Sequence, residues 1–301
     1  MKMPGKKRRA PAAQIILKAV IVLMCVVCVL PTWLVIAASF TNETALSVNG
    51  FHMIPARWSL DGYRYILSFG GQILQSYKVT LFSAVVGTLL SLAITSMAAF
   101  VLSRREFVLR QIVSFYFLLT LLINGGLLAN YLVMTNVWNM RNSLWVLILP
   151  SAFSVMNCFV MRSFIQGNIP NEIIEAARID GANDFKTFYI AVLPLMAPAL
   201  AAIGFMTAVG HWNDWGTGYL YINEAKKMPL QLLLMRLENE IQYLQTNVQA
   251  LSPDQIELLN NTPVNSGRMA MLVTSIVPIM LVYPFFQKYF IKGITLGSMK
   301  G

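Results

Sequence analysis

Charged residues are scarce in this chain. They make up 12% of its 301 residues, against about 25% in a soluble domain, which excludes an ordinary soluble fold. The long apolar runs hold no Asp, Glu, Lys, Arg or His in their central parts. Proton-coupled carriers keep such groups inside their spans despite a cost of roughly 2.5–3.5 kcal/mol each. A proton-driven carrier is therefore disfavoured; sodium coupling, which backbone carbonyls can serve, is disfavoured less. No G-x-x-x-x-G-K-[ST] occurs, so the chain has no phosphate-binding loop for ATP. There are 2 histidines and 3 cysteines, with no spacing that suggests a zinc site. Cys25, Cys28 and Cys158 fall inside apolar runs and read as small packing residues, and His211 as a hydrogen-bonded residue near an outer membrane boundary. Nothing resembles a nucleophile with its base. The chain is expected to be neither an enzyme nor a cofactor binder.

What the chain has in abundance is hydrophobic residues, 56% of the total. They gather into runs long enough to cross a bilayer, which takes about 20 residues. The runs are 15–40, 77–102, 111–134, 143–164, 195–212 and 268–289. The predicted fold is an all-α membrane protein with six transmembrane helices in a permease domain over 15–290. Pro150, Pro194, Pro198, Pro278 and Pro284 lie in or at the ends of spans, where neighbouring groups can satisfy the freed carbonyls. The first run is too long for a signal-peptide core of about 7–15 residues and reads as a retained span.

An even number of spans puts both termini on one side. Most of the 23 Lys and Arg fall there: in the tail 1–14 and Lys18, around Arg104, around Arg178, and in the tail 291–301. The positive-inside rule places that side in the cytoplasm. The net charge of +10 is thus mainly a topology signal. The run Lys6-Lys7-Arg8-Arg9 immediately precedes a span and reads as a membrane anchor rather than a nucleic-acid site.

Two outer segments are expected, 41–71 and 213–267. In the second, Leu230, Leu234, Leu237, Ile241, Leu244, Val248 and Leu251 recur at 4-3-4-3-4-3 spacing, an amphipathic helix with Pro229 at its start. Ser252-Pro253-Asp254-Gln255 carries a capping-box pattern for a further short helix. The apolar stripe suits packing on the membrane domain or contact with an outer partner. In the second span, Ser83, Gly87 and Ser91 fall one helical turn apart and suit close helix–helix packing.

The cytoplasmic loop 166–193 reads as an elbow of two short helices. Pro170 fits the first turn of one helix, Gly181 the left-handed position that ends it, and Asn183 or Asp184 the cap of a second over 185–193. Ala176 and Ala177 are small enough to let another backbone approach. Ile173, Ile174, Phe185 and Phe188 offer apolar surface that a bare turn does not need.

Glu175-Ala176-Ala177, Gly181 and Leu193-Pro194 resemble the EAA loop of bacterial ABC-importer permeases. The extended stretch from Ile169-Pro170 to Gly181-Ala182 is similar to the carbohydrate-uptake (MalG-like) branch. Gly125-Gly126-Leu127, Leu147-Ile148-Leu149-Pro150, Trp212-Asn213-Asp214-Trp215 and the C-terminal Gln287-Lys288-Tyr289-Phe290 resemble the LplC-like group. Ala191 departs from the pattern, which has Ile or Val there.

The resemblance implies a second homologous permease, an ABC ATPase dimer that binds ATP and Mg, an extracytoplasmic sugar-binding protein and an oligosaccharide substrate. It implies that Glu175, Ala176, Ala177 and Gly181 seat in an ATPase groove, with Arg178 and Asp180 at its rim and Leu193-Pro194 completing the motif. Asn124, Asn157, Trp212 and Asn213 have the amide and aromatic chemistry of sugar contacts and are candidate pathway residues. The residues leave open a non-sugar solute and a non-transporting membrane scaffold.

Overall fold

The computed structural model describes residues 11–248, 252–256 and 262–298. The basic run Lys6–Arg9, Leu251 and the last residues of the expected C-terminal tail lie outside them. Among the described residues the regular structure is helical: α1 (Pro11–Ser39), α2 (Glu43–Asn49), α3 (Asp61–Ser68), α4 (Gly70–Ser103), α5 (Arg110–Leu122), α6 (Gly126–Leu132), α7 (Val155–Asn168), α8 (Asn171–Ile179), α9 (Asp184–Thr187), α10 (Leu193–Leu195), α11 (Ala197–Trp212), α12 (Gly216–Tyr221), α13 (Leu230–Thr246) and α14 (Val264–Ser298).

Three helices are long and apolar enough to cross a membrane unbroken, Ile15–Ser39, Gly70–Ser103 and Val264–Gln287. The other three expected spans are bent pairs rather than the straight runs expected. Arg110–Leu122 and Gly126–Val137 meet at 110°, Leu144–Ser151 and Val155–Asn168 at 49°, and Asp184–Leu195 and Ala197–Trp212 at 81°. Counting each pair as one gives six.

Each bend has a local cause. At the first, Gly126 has φ +80° and its N–H donates to the Asn124 side chain at 2.9 Å, which takes that amide out of the helical ladder. At the second, Ser154 caps α7 by accepting from the Asn157 N–H at 3.3 Å. At the third, Pro194 and Pro198 each stand in the first turn of a helix, where a missing N–H costs nothing. The last helix continues to Ser298, past the end expected for the sixth span.

The chain divides into two compact units, Met1–Phe69 with Glu240–Ile276, and Gly70–Asn239 with Val277–Gly301. In the first unit Glu43 is the central tie. One carboxylate oxygen accepts from the Ser266 N–H at 2.8 Å and the Ser266 hydroxyl at 2.9 Å. The other accepts from the Asn265 N–H at 3.0 Å and its side-chain amide at 3.1 Å. A carboxylate from α2 thus satisfies two of the orphan N–H groups that begin α14, at the end where negative charge is favoured.

In the second unit α4 packs against α7 and α11. Its buried stripe includes Ser76, Thr80, Ser83, Ser91 and Thr95. A Cβ added to Gly87 would lie 2.4 Å from His211 Nε2, so the imidazole of α11 fills the space that the glycine leaves. The Gly70 end of α4 also holds the segment beyond α12. The Thr80 hydroxyl accepts from the Leu230 N–H at 2.8 Å, and the Gln75 amide donates to the Lys226 carbonyl at 2.8 Å.

Leu230, Leu234, Leu237, Ile241 and Leu244 are buried within the chain, while Val248 at the end of the stripe is exposed. The amphipathic face of α13 is therefore spent largely on internal packing. Ser252 and Gln255 form the reciprocal capping box: the Ser252 N–H donates to Gln255 Oε1 at 3.0 Å and the Gln255 N–H to Ser252 Oγ at 3.4 Å.

Candidate functional site

The elbow follows α7. Pro170 is in extended conformation at φ −60° and ψ 139°, and α8 begins at Asn171, one residue later than expected. The helix ends in a Schellman turn. The Ala182 N–H donates to the Ala177 carbonyl at 3.0 Å and the Gly181 N–H to the Arg178 carbonyl at 2.9 Å. Such a turn needs a left-handed residue at its centre, and Gly181 has φ +80°. Asn183 then caps α9 by accepting from the Lys186 N–H at 2.8 Å. A π-helical turn, Phe188–Val192, replaces the second half of the helix expected over 185–193.

The elbow is rooted in the core by two residues that the sequence suggested were surface. Ile174 and Phe188 are buried with Ile165 and Ile169, and the Phe188 ring lies 5.4 Å from that of Phe100. Successive residues of a helix fall on different faces, so neither arm can point every apolar residue outward and some of them anchor the elbow. The exposed apolar surface is instead Ile173, Ile179, Phe185, Tyr189 and Ile190, with Ile179 at 86% exposure. Glu175, Ala176 and Asp180 are exposed beside it, and Ala177 is half-buried. Leu193 and Pro194 stand at the 81° bend into α11, where they shape the chain.

Ion pairs fix the two arms. Arg178 on α8 donates to Asp184 on α9 at 2.9 Å and reaches Glu106, in the link between α4 and α5, at 2.7 Å. Arg104 donates to both Glu106 oxygens at 3.1 Å, and its guanidinium lies 5.9 Å from the Phe100 ring centre. Hydrogen bonds from Arg178, then Arg104, hold the Glu106 carboxyl below its ordinary value. Sequence reasoning counted Arg104 as topology and passed over Glu106. The signal was an acidic residue set among Arg104, Arg105 and Arg110 in an otherwise basic link.

The four pathway candidates are held by different neighbours. Asn124 sits at the break between α5 and α6, with its carbonyl oxygen engaged by Gly126. Asn157 is half-buried in the first turn of α7. Trp212 is 8% exposed, with its ring 6.1 Å from that of Tyr77. Asn213 follows at the end of α11 and accepts from the Gln231 amide at 3.4 Å.

Known proteins share this sequence and fold. The chain is 39% identical over 283 residues to the polygalacturonan/rhamnogalacturonan transport system permease protein YtcP of Bacillus subtilis, covering 93% of this chain and 96% of that one. It is 34% identical over 274 residues to the protein LplC of Bacillus subtilis, covering 91% and 90%. It superposes with a TM-score of 0.80 on a chain of a bacterial ABC transporter involved in the import of the acidic polysaccharide alginate. That match is 24% identical, covers 96% of this chain and 100% of the other, and speaks to the fold. Residues 87–296, which include the whole elbow, match the binding-protein-dependent transport system inner membrane component, and the chain belongs to that family of ABC-transporter permeases.

Proposed function

We propose that this chain is one of two different permease subunits that form the pathway of an ATP-driven oligosaccharide importer. A separate ATPase dimer drives it, and an extracytoplasmic binding protein delivers the sugar. The observation that carries this reading is the elbow: a glycine-turned pair of short helices, rooted by Ile174 and Phe188, that exposes Ile179 and Phe185. Exposed apolar groups on a rigid knob suit insertion into a partner's groove. Glu175, Ala176, Ala177 and Gly181 seat there, with Arg178 and Asp180 at the rim. Closure of the ATPase dimer on ATP then moves the elbows together and changes the side to which the pathway opens. ATP and Mg stay with the partner, and this chain catalyses no reaction.

A sugar cargo is supported by the YtcP relative, which is named for polygalacturonan/rhamnogalacturonan transport. Both termini and the elbow face the cytoplasm, as the basic loops favour. Asn124, Asn157, Trp212 and Asn213 belong to the pathway in this reading. The Asn124 and Asn213 oxygens are engaged within the chain, which leaves their NH₂ groups to donate to sugar hydroxyls.

The test is uptake in membranes that contain the full set of subunits. Gly181→Pro removes the N–H given to Arg178 and forces φ to about −65°, and Ala177→Trp blocks the approach of a groove. Both variants should remain in the membrane and lose uptake and ATPase co-purification. Unchanged uptake in both overturns the coupling role. Trp212→Ala with normal uptake and normal sugar-stimulated ATP hydrolysis removes Trp212 from the pathway.

A further inference from the structure

Beside the elbow lies an open cavity of about 710 Å³ bounded by the link between α4 and α5, by α7 and by α8. Its lining is unusual for a chain so poor in charge. Arg104, Arg105, Arg110 and Arg162 all face it, against the carboxylates of Glu106 and Glu175. Arg104 is engaged by Glu106, and Arg162 donates to the Ser114 hydroxyl at 3.0 Å. Among the described residues no carboxylate pairs with Arg105, Arg110 or Arg162, and the buried Arg104 Nε has no hydrogen-bond partner.

The start of α5 adds to the excess. Arg110 opens the helix, no acidic residue lies in its first turn, and no side chain caps it. A cation at a helix N-terminus opposes the helix dipole and is stabilised only when an anion lies nearby. Four guanidiniums, an uncapped helix start and an orphan donor therefore meet in one cavity with a net deficit of negative charge.

The cavity lining is polar, and an exposed apolar strip lies next to it in the chain. Val108 and Leu109, between Arg105 and Arg110, are exposed, and Ile112 and Phe115 continue the same surface up α5. A soluble anion has no use for that strip. An amphiphile does, because its phosphate can enter among the arginines while its acyl chains lie along the helix.

We infer that this cavity binds the headgroup of an anionic phospholipid, with the acyl chains on the Val108–Phe115 face of α5. Arg105 and Arg110 hold the phosphate, and the Arg104 Nε donates from the floor. The occupant would sit against the residues that tie the link to the elbow, so membrane composition and coupling would share one site. The binding itself does not depend on the coupling reading, because it is measured as lipid retained.

The test uses the transporter purified with its partner subunits in detergent and exposed to mixed micelles of phosphatidylglycerol and phosphatidylcholine. Retained lipid is counted by mass spectrometry. Arg105→Gln with Arg110→Gln removes one exposed and one half-buried charge without touching the elbow. The double variant should retain roughly 25-fold less phosphatidylglycerol, since each Arg at a membrane surface contributes about a factor of five. Phosphatidylcholine retention and ATPase co-purification should be unchanged, and millimolar inorganic phosphate should not displace the lipid. Three results overturn the inference. Equal retention of phosphatidylglycerol in both proteins shows the cavity is not its site. Displacement by inorganic phosphate shows a simple anion site. Loss of the ATPase with lipid retention unchanged shows that the arginines meet an acidic surface of the partner.

Discussion

Glu106 meets Arg178 at 2.7 Å and ties the link after α4 to the end of α8. Arg178 also holds Asp184, so one guanidinium joins three elements. Each pair is exposed, and exposed pairs are worth about 0.2–1 kcal/mol each; the network matters for the angle of the elbow more than for the stability of the fold. Glu106→Gln should therefore leave the protein folded and lower uptake by roughly two- to fivefold, and Glu106→Asp should recover part of it. High salt should shrink the difference between the two proteins.

The same tie has a predictable pH dependence. Hydrogen bonds from Arg178 and Arg104 depress the Glu106 carboxyl, so its contribution is present above the ordinary Glu value of about 4.3. It is lost only as pH falls through the depressed value. The ratio of wild-type to Glu106→Gln uptake should stay constant from about pH 8 to pH 5 and approach one only below about pH 4. A ratio that changes near neutrality would assign the effect to another group.

Gly181 is the backbone pivot of the elbow. At φ +80° an L side chain meets the following carbonyl, at a cost of roughly 1–2 kcal/mol. Nothing beyond its own chain neighbours lies within 4 Å of a Cβ built there, so the penalty comes from the local backbone and not from packing. Gly181→Ala should weaken the turn by about 1 kcal/mol, and Gly181→Asn by less, since Asn tolerates the left-handed region. Hydrogen exchange at the Ala182 amide, which donates to Ala177, reports the loosening directly. Equal protection in Gly181→Ala and the parent would mean that the turn is held by its surroundings.

The elbow was legible because its parts are local. Gly181, Asn183 and the two helices obey rules that act over a few residues, and the capping box at Ser252 and Gln255 does too. The long apolar runs likewise announced the spans. The bends in them did not show, because hydropathy sums over a window and cannot see that Gly126 gives its N–H to Asn124. The burial of Ile174 and Phe188 was also hidden. Which face of a short helix turns inward depends on how the chain folds back on α7 and on Phe100, which lies far away in the sequence. Glu106 was missed for the same reason: its partner Arg178 becomes a neighbour only in the fold.

Gly87 and His211 test the packing of α4 on α11. The Cβ of an alanine at 87 would lie 2.4 Å from the imidazole Nε2, and both helices must keep their positions for the second unit to hold. Gly87→Ala should cost about 1–3 kcal/mol, as overpacking in a tight core does. The end of a side chain can be trimmed where a backbone cannot, so Gly87→Ala with His211→Ala should recover most of the loss. Thermal unfolding in detergent measures the cycle, and a double variant no more stable than Gly87→Ala alone would place the strain elsewhere than on His211.

Glu43 is the most heavily used carboxylate among the described residues of the first unit, and its partners decide what its removal does. The N–H groups of Asn265 and Ser266, the Ser266 hydroxyl and the Asn265 amide all donate to it. Glu43→Gln keeps the shape and one acceptor oxygen, but its NH₂ group faces donors and the charge at the start of α14 is lost. Hydrogen bonds to a charged acceptor are worth about 1.5–3 kcal/mol, so the variant should lose roughly 2 kcal/mol. Glu43→Asp keeps the charge on a shorter stem that reaches fewer of the donors, and it should fall between the two. The loss should appear as faster proteolysis or hydrogen exchange at the start of α14, with the elbow amides unaffected because they belong to the other unit. Exchange that rises equally at 171–187 would show that Glu43 supports the whole chain and not the first unit alone.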